Sequence, residues 1–105
     1  MGYYALFYHV VDGFVERRTP FREAHLAHAQ KAAQRGELML GGALAGPADT
    51  ALIVFRADAP DIARAFAEKD PYVGNGLVKH WEVRPWNVVV GEYANASVSP
   101  SRGGA

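Results

Sequence analysis

The stretch YYALFYHVV at residues 3–11 is aromatic or aliphatic at almost every position. In an extended chain Tyr3, Ala5, Phe7 and Val11 point to one side, and Tyr4, Leu6, Tyr8 and Val10 to the other. A strand with one wet face alternates apolar with polar residues; this one does not, so both faces of its sheet need cover. In a chain of 105 residues the helices can cover one face only, and a second copy of the same sheet is the economical cover for the other. A homodimer is therefore the expectation.

The remaining elements follow from local signals. The first strand stops at the Asp12-Gly13 turn. Thr19 and Pro20 read as the N-cap and first residue of a helix, FREAHLAHAQKAAQR, that spans about 20–35 and stops at Gly36. ELMLGGALAG (37–46) reads as a strand in which the Gly41-Gly42 pair implies a bulge or a close backbone approach, and TALIVF (50–55) as another strand. Asp58 is placed to cap a second helix, with Pro60 and Asp61 in its first turn and Ile62, Ala65 and Phe66 as its apolar stripe, ending at Pro71. LVKHWEVRPW (77–86) makes the last strand. The order β-α-β-β-α-β is the ferredoxin-like α+β arrangement, with two helices on one face of an antiparallel sheet. One domain over residues 1–90 is expected, followed by a Gly/Ser/Pro-rich segment, 91–105, that is flexible or ordered only on a partner.

Charge and composition narrow the function classes. Eleven Lys and Arg balance eleven Asp and Glu, which disfavours a nucleic-acid footprint or an anionic membrane surface. The chain has no cysteine, so disulfides, Cys-ligated zinc, iron–sulfur clusters and thiol nucleophiles are excluded. MGYYALFYHV lacks a basic n-region and reads as a strand, not a signal peptide, and no apolar run approaches the length of a membrane span. A soluble, cytoplasmic protein is expected.

The first long helix carries the informative residues. On its wheel Leu26, Ala29 and Ala33 centre the buried stripe, Arg22 falls in the same sector and His25 lies on its flank. An arginine on a buried side needs a polar cleft or a carboxylate. Asp70, at the end of the second helix, sits where the helix dipole disfavours an acid. The loop after that helix is placed to approach the opening turn of the first, where Asp70 would face Arg22 or His25. A histidine paired with a carboxylate is held in one tautomer, ready for proton transfer. The structural alternatives are a helix histidine making one hydrogen bond, Asp70 as a turn former before Pro71, Arg22 as its ion-pair partner, and Tyr72 as a packing aromatic and not a substrate contact. His25 and His28 lack an obvious third ligand, and nothing singles out His9 or His80 as an axial haem ligand, so neither a metal nor a cofactor is expected. Gly41-Gly42 and Gly74-x-Gly76 do not open helices after strands in the way a phosphate loop does.

PFREAHLAHAQKAAQRGELMLGGALAG, with its R-x-x-H-L core, followed by DPYVGNGLVKHWEVRPW, resembles the YciI-like (YCII-related) family over roughly residues 3–90. The resemblance implies a ferredoxin-like α/β fold, dimers built through the sheets in a barrel-like assembly, and a cleft whose His/Asp site maps onto His25 and Asp70. It also suggests distant kinship with muconolactone-isomerase-like folds, and one branch of the family contributes a dehydrochlorinase acting on a chlorinated hydroxyquinol. Two functions remain open on the sequence. One is a cofactor-independent enzyme in which His25 moves a proton on a small carbonyl- or phenol-bearing metabolite, Asp70 orients it, and Arg22 and Tyr72 contact the substrate. The other is a non-catalytic ligand-binding or accessory dimer, with a purely structural dimerisation module beyond it.

Overall fold

A computed structural model of the chain describes residues 1–92 and 94. The expected tail at 91–105 therefore lies almost entirely outside the described residues. Four strands, β1 (Gly2–Val10), β2 (Leu38–Ala43), β3 (Thr50–Ala57) and β4 (Val78–Trp86), form one antiparallel sheet in the order β2-β3-β1-β4. The main helices are α2 (Arg22–Gln34) and α3 (Asp61–Lys69), and two single-turn pieces, α1 (Phe14–Arg17) and α4 (Pro71–Gly74), precede α2 and follow α3. The α+β arrangement with an antiparallel sheet is the one the sequence predicts.

Several local expectations are corrected. Thr19 and Pro20 do not open the long helix; residues Thr19–Phe21 form a 3-10 turn, and α2 begins at Arg22 with no side-chain cap. Before this turn, Phe14 of α1 is buried in the core. Gly36, at φ 77°, ends the helical segment as expected. Asp58 does not cap α3, whose N-cap is Pro60. The irregularity in β2 lies between Leu38 and Leu40, not at the glycine pair, which keeps regular register with Ile53 and Leu52. Gly41 is there for close approach: a Cβ would sit 3.3 Å from both Cγ atoms of Ile53.

Helix faces also differ from the wheel reading. In α2 Ala32 is buried and His25, His28 and Ala29 are half-buried, whereas Leu26 and Ala33 are exposed. In α3 the buried residues are Ala63, Phe66 and Ala67, not Ile62 and Ala65. The rotation has a polar cause. His28 shares a 2.9 Å hydrogen bond through Nε2 with the Phe66 carbonyl and stacks on the Phe66 ring at 4.3 Å, so a histidine occupies the seam between α2 and α3 that hydropathy would give to an aliphatic residue.

Tyr8, Phe55, Leu6 and Leu77 are the largest apolar side chains fully enclosed between sheet and helices. On the opposite face Tyr3, Ala5 and Phe7 of β1 adjoin Leu52 and Val54 of β3. Val88 and Val90, just after β4, line a hollow with Tyr3, Leu40 and Val54 at one end of that face. Leu40 and Trp86 remain exposed there. No helix among the described residues is long and apolar enough to cross a membrane.

Phe66 connects the two layers, meeting Phe55 edge-on at 5.2 Å while it carries His28 on its face. Phe66→Ala is expected to lower unfolding free energy by about 3–5 kcal/mol with an unchanged denaturant slope. A loss below about 1 kcal/mol in chemical denaturation would show that this contact does not hold the helical layer to the sheet.

Candidate active site

Pro71 disfavours helical geometry at the residue before it, and Asp70 takes φ −72° and ψ 126°, ending α3 and starting α4. The acid that looked misplaced at a helix C-terminus is thus the N-cap of the next helix, accepting a 3.0 Å hydrogen bond from the Tyr72 N–H through Oδ1. Its carboxylate is closed off from solvent and has two further partners. Tyr8 of β1 donates its hydroxyl to Oδ2 at 2.7 Å, and His25 of α2 donates from Nδ1 to Oδ1 and Oδ2 at 2.8 and 3.0 Å. A buried carboxylate is tolerated when hydrogen-bond donors replace its water, and here three elements supply them.

These contacts orient His25. With Nδ1–H given to an ionised Asp70, Nε2 carries the free lone pair, and it has no hydrogen-bond partner among the described residues. The ring lies flat on Tyr72, with centroids 3.9 Å apart and planes 8° from parallel. Phe14 meets the Tyr72 ring edge-on at 5.4 Å, and the Arg18 guanidinium sits 5.3 Å above the Phe14 ring. His25 is held against tilting by the stack and against spinning by the carboxylate.

The imidazole forms part of the wall of a cavity of about 220 Å³ between α2 and the β2-β3 side of the sheet. Tyr8, Tyr72, Arg18 and Arg22 line it together with His25, while Leu26, Ala29, Leu38 and Ile53 supply apolar wall. Arg22, the first residue of α2, makes no ion pair among the described residues, so it is not the partner of Asp70. Burial pushes the Tyr72 phenol above its ordinary range, while the Arg22 and Arg18 guanidiniums act in the opposite direction. Burial and the adjoining Asp70 carboxylate push the Tyr8 phenol far up.

The four residues singled out in the sequence, His25, Asp70, Arg22 and Tyr72, are thus brought to one place. His28 is not: it is spent on the Phe66 carbonyl, and among the described residues no three His, Cys, Asp or Glu side chains are grouped to hold a metal ion. His9 and His80 stack across strands at 5.5 Å, opposite one another in the sheet register. Two site residues were not anticipated. Tyr8 shares the inward parity of Leu6, the one signal that could have flagged it; Arg18 stands one helical turn before Arg22, but the intervening 3-10 turn hides that spacing.

A ferredoxin-like α+β sheet with a His–Asp pair at its helix-covered face defines the class of protein. Residues 1–87 match the YCII-related domain, and the chain belongs to that family. It is 29% identical over 84 residues to protein YciI of Escherichia coli, covering 71% of this chain and 86% of that protein. Among solved structures it is similar to the 5-chloro-2-hydroxyhydroquinone dehydrochlorinase TftG of Burkholderia phenoliruptrix in complex with 2,5-dihydroxybenzoquinone. That match has a TM-score of 0.70 and 20% identity, and covers 89% of this chain and 99% of the other. A NIPSNAP domain protein from Burkholderia xenovorans is similar at TM-score 0.52 and 14% identity, over 90% of this chain and 99% of that one. At these identities the two structures share the fold.

The raised Tyr8 phenol has a consequence for stability. Above about pH 10 an unfolded chain releases the Tyr8 proton while the folded chain keeps it, so the folded state binds more protons and its stability falls as pH rises; below pH 10 the contribution is fully present. The Tyr8 share of the alkaline slope is about 1.4 kcal/mol per pH unit. Tyr8→Phe is expected to remove that share while costing about 1.5–3 kcal/mol at neutral pH through the lost charge-assisted bond. Denaturation curves between pH 8 and 11 check this, and parallel slopes for parent and variant would refute it.

Proposed function

We propose that the protein is a cofactor-independent enzyme performing His/Asp general acid-base chemistry on a small carbonyl- or phenol-bearing metabolite. The observation that carries the reading is the His25–Asp70 contact of 2.8 Å, made behind a cavity wall that His25 itself lines. Nε2 of His25 takes a proton from a substrate C–H or O–H; the released electron pair forms a carbonyl or alkene, and either the proton returns at another atom (isomerisation) or a leaving group such as halide departs with its electron pair (elimination). Asp70 keeps the imidazole in the Nδ1–H tautomer and offsets the charge it gains. Arg22 holds the substrate's anionic or enolate oxygen, and Tyr72 braces the imidazole and contacts the substrate. The bound 2,5-dihydroxybenzoquinone and the dehydrochlorinase activity named for TftG support a ligand of this class.

The alternative is a non-catalytic binding protein with the same cavity. It is favoured by the structural work that Asp70 already does in capping α4 and holding Tyr8. We further propose a homodimer formed through the open sheet face, supported by the Phe7, Leu52 and Trp86 side chains that line a shallow apolar hollow there.

For an enzyme, His25→Ala retains the fold and loses about 10²–10⁴ in turnover of 5-chloro-2-hydroxyhydroquinone or related phenols. Asp70→Asn can turn its amide N–H toward His25, so imidazole ¹⁵N shifts are expected to report conversion to the Nε2–H tautomer. Identical ¹⁵N patterns in parent and Asp70→Asn would sink the dyad, and ligand affinity without turnover in any variant would leave the binding protein. Light scattering at low micromolar concentration is expected to give the mass of two chains; the mass of one chain would refute the dimer.

A further inference from the structure

The cavity wall carries one cation, Arg18, beyond those the proton-transfer chemistry uses. The chain as a whole is neutral, with eleven basic and eleven acidic side chains. The wall, however, contains the guanidiniums of Arg18 and Arg22, the His25 imidazole and two phenols, and no carboxylate. Asp70 stands behind His25 and Tyr8 with its oxygens already committed. Among the described residues neither Arg18 nor Arg22 pairs with an acid within 4.0 Å, although acids elsewhere do pair with Arg35 and Arg64.

We infer that the cavity recognises its ligand as an organic anion of single-ring size, charged before any proton is moved, and that Arg18 reads this charge together with Arg22. The inference rests on the reading of this cavity as the functional site, and deepens it by naming the ligand class and a second recognition residue.

The position of Arg18 is the first support. It follows α1, whose Phe14 is buried, and its guanidinium is held over the Phe14 ring at 5.3 Å instead of trailing in solvent. A charge placed in advance loses less freedom when a ligand arrives. Both arginines line the same cavity wall as Tyr72. A negative oxygen arriving there meets two cations beside an apolar surface, where solvent screens them less than in open water. Paired guanidiniums also suit the flat two-oxygen geometry of a carboxylate, or adjacent oxygens on a ring.

Size and lining set the rest of the ligand. Leu26, Ala29, Leu38, Ala51 and Ile53 make the remaining wall apolar, so the anion needs a hydrophobic body. A dry cavity of about 150 Å³ accepts benzene, which makes the 220 Å³ here sufficient for one ring with one or two small substituents. A bare inorganic anion would leave the apolar wall unused, and a neutral ring would leave the two guanidiniums without a counter-charge.

The test titrates the full chain with benzoate, benzamide and inorganic phosphate, read by calorimetry and by amide shifts of Gly41 and Gly42 in the cavity wall. Benzoate is expected to bind at least about tenfold more tightly than benzamide, its neutral counterpart, and more tightly than phosphate. Arg18→Ala and Arg22→Ala are each expected to weaken benzoate about tenfold, with little effect on benzamide. Arg18→Gln keeps a stem over Phe14 without the charge and is expected to behave as Arg18→Ala does, which separates charge from packing. Equal affinity for benzoate and benzamide, phosphate binding as tight as benzoate, no benzoate binding at millimolar concentration, or an Arg18→Gln variant that binds like the parent would each overturn the inference. If Asp70→Asn leaves the His25 tautomer unchanged while benzoate still needs Arg18, proton transfer falls and anion recognition stands.

Discussion

Among the described residues Asp70 is the one acidic or basic side chain that is fully buried, and the arrangement of the helical layer follows from what that carboxylate needs. Removing a carboxylate from water costs several kcal/mol unless donors replace the solvent. The donors come from β1, α2 and α4, from residues 62, 45 and 2 positions away in the chain. Because His25 must face Asp70, the rotation of α2 is set, and His28, Ala29 and Ala32 follow inward at helical spacing. Because Tyr8 must reach Oδ2, its side chain joins the core with its polar end committed. One charge thus orders side chains that hydropathy alone would leave ambiguous.

The contacts that stabilise the buried charge also shape the proposed site. Capping α4 places Tyr72 under His25; the contact of Asp70 with Nδ1 leaves Nε2 on the cavity side without a partner among the described residues; the Tyr8 contact holds Oδ2 of the carboxylate. A structural and a functional reading of Asp70 are therefore not rivals. The geometry that stabilises the buried charge is also the one that presents a basic nitrogen to a cavity.

The order of strands and long helices could be read from the sequence because it depends on local signals: aromatic and β-branched runs in β1 and β3, the Gly36 stop, and the Asp70-Pro71 break. The pairing of His25 with Asp70 could be read because the topology brings the end of α3 near the start of α2. The turns α1 and α4 could not, since four residues carry no periodicity, and Arg18 was hidden with them. The buried faces of α2 and α3 were misread for a different reason. A wheel counts histidine as polar and alanine as weakly apolar, whereas tertiary partners turn His25 and His28 inward and leave Leu26 beside the cavity. Tyr8 was assigned only to a strand face, because a hydroxyl contact across 62 residues has no local trace.

The hydrogen bond from the Tyr72 amide to Asp70 joins the backbone to the site in an unusual way. Most protected amides in a small domain report on a ladder or a helix, and they open when that element opens. The Tyr72 amide is held by a side chain, the one that also grips His25. Its exchange with solvent deuterium is expected to depend on whether the carboxylate is seated. A single peptide proton is thereby tied, within the main chain, to the seat of the carboxylate that His25 faces.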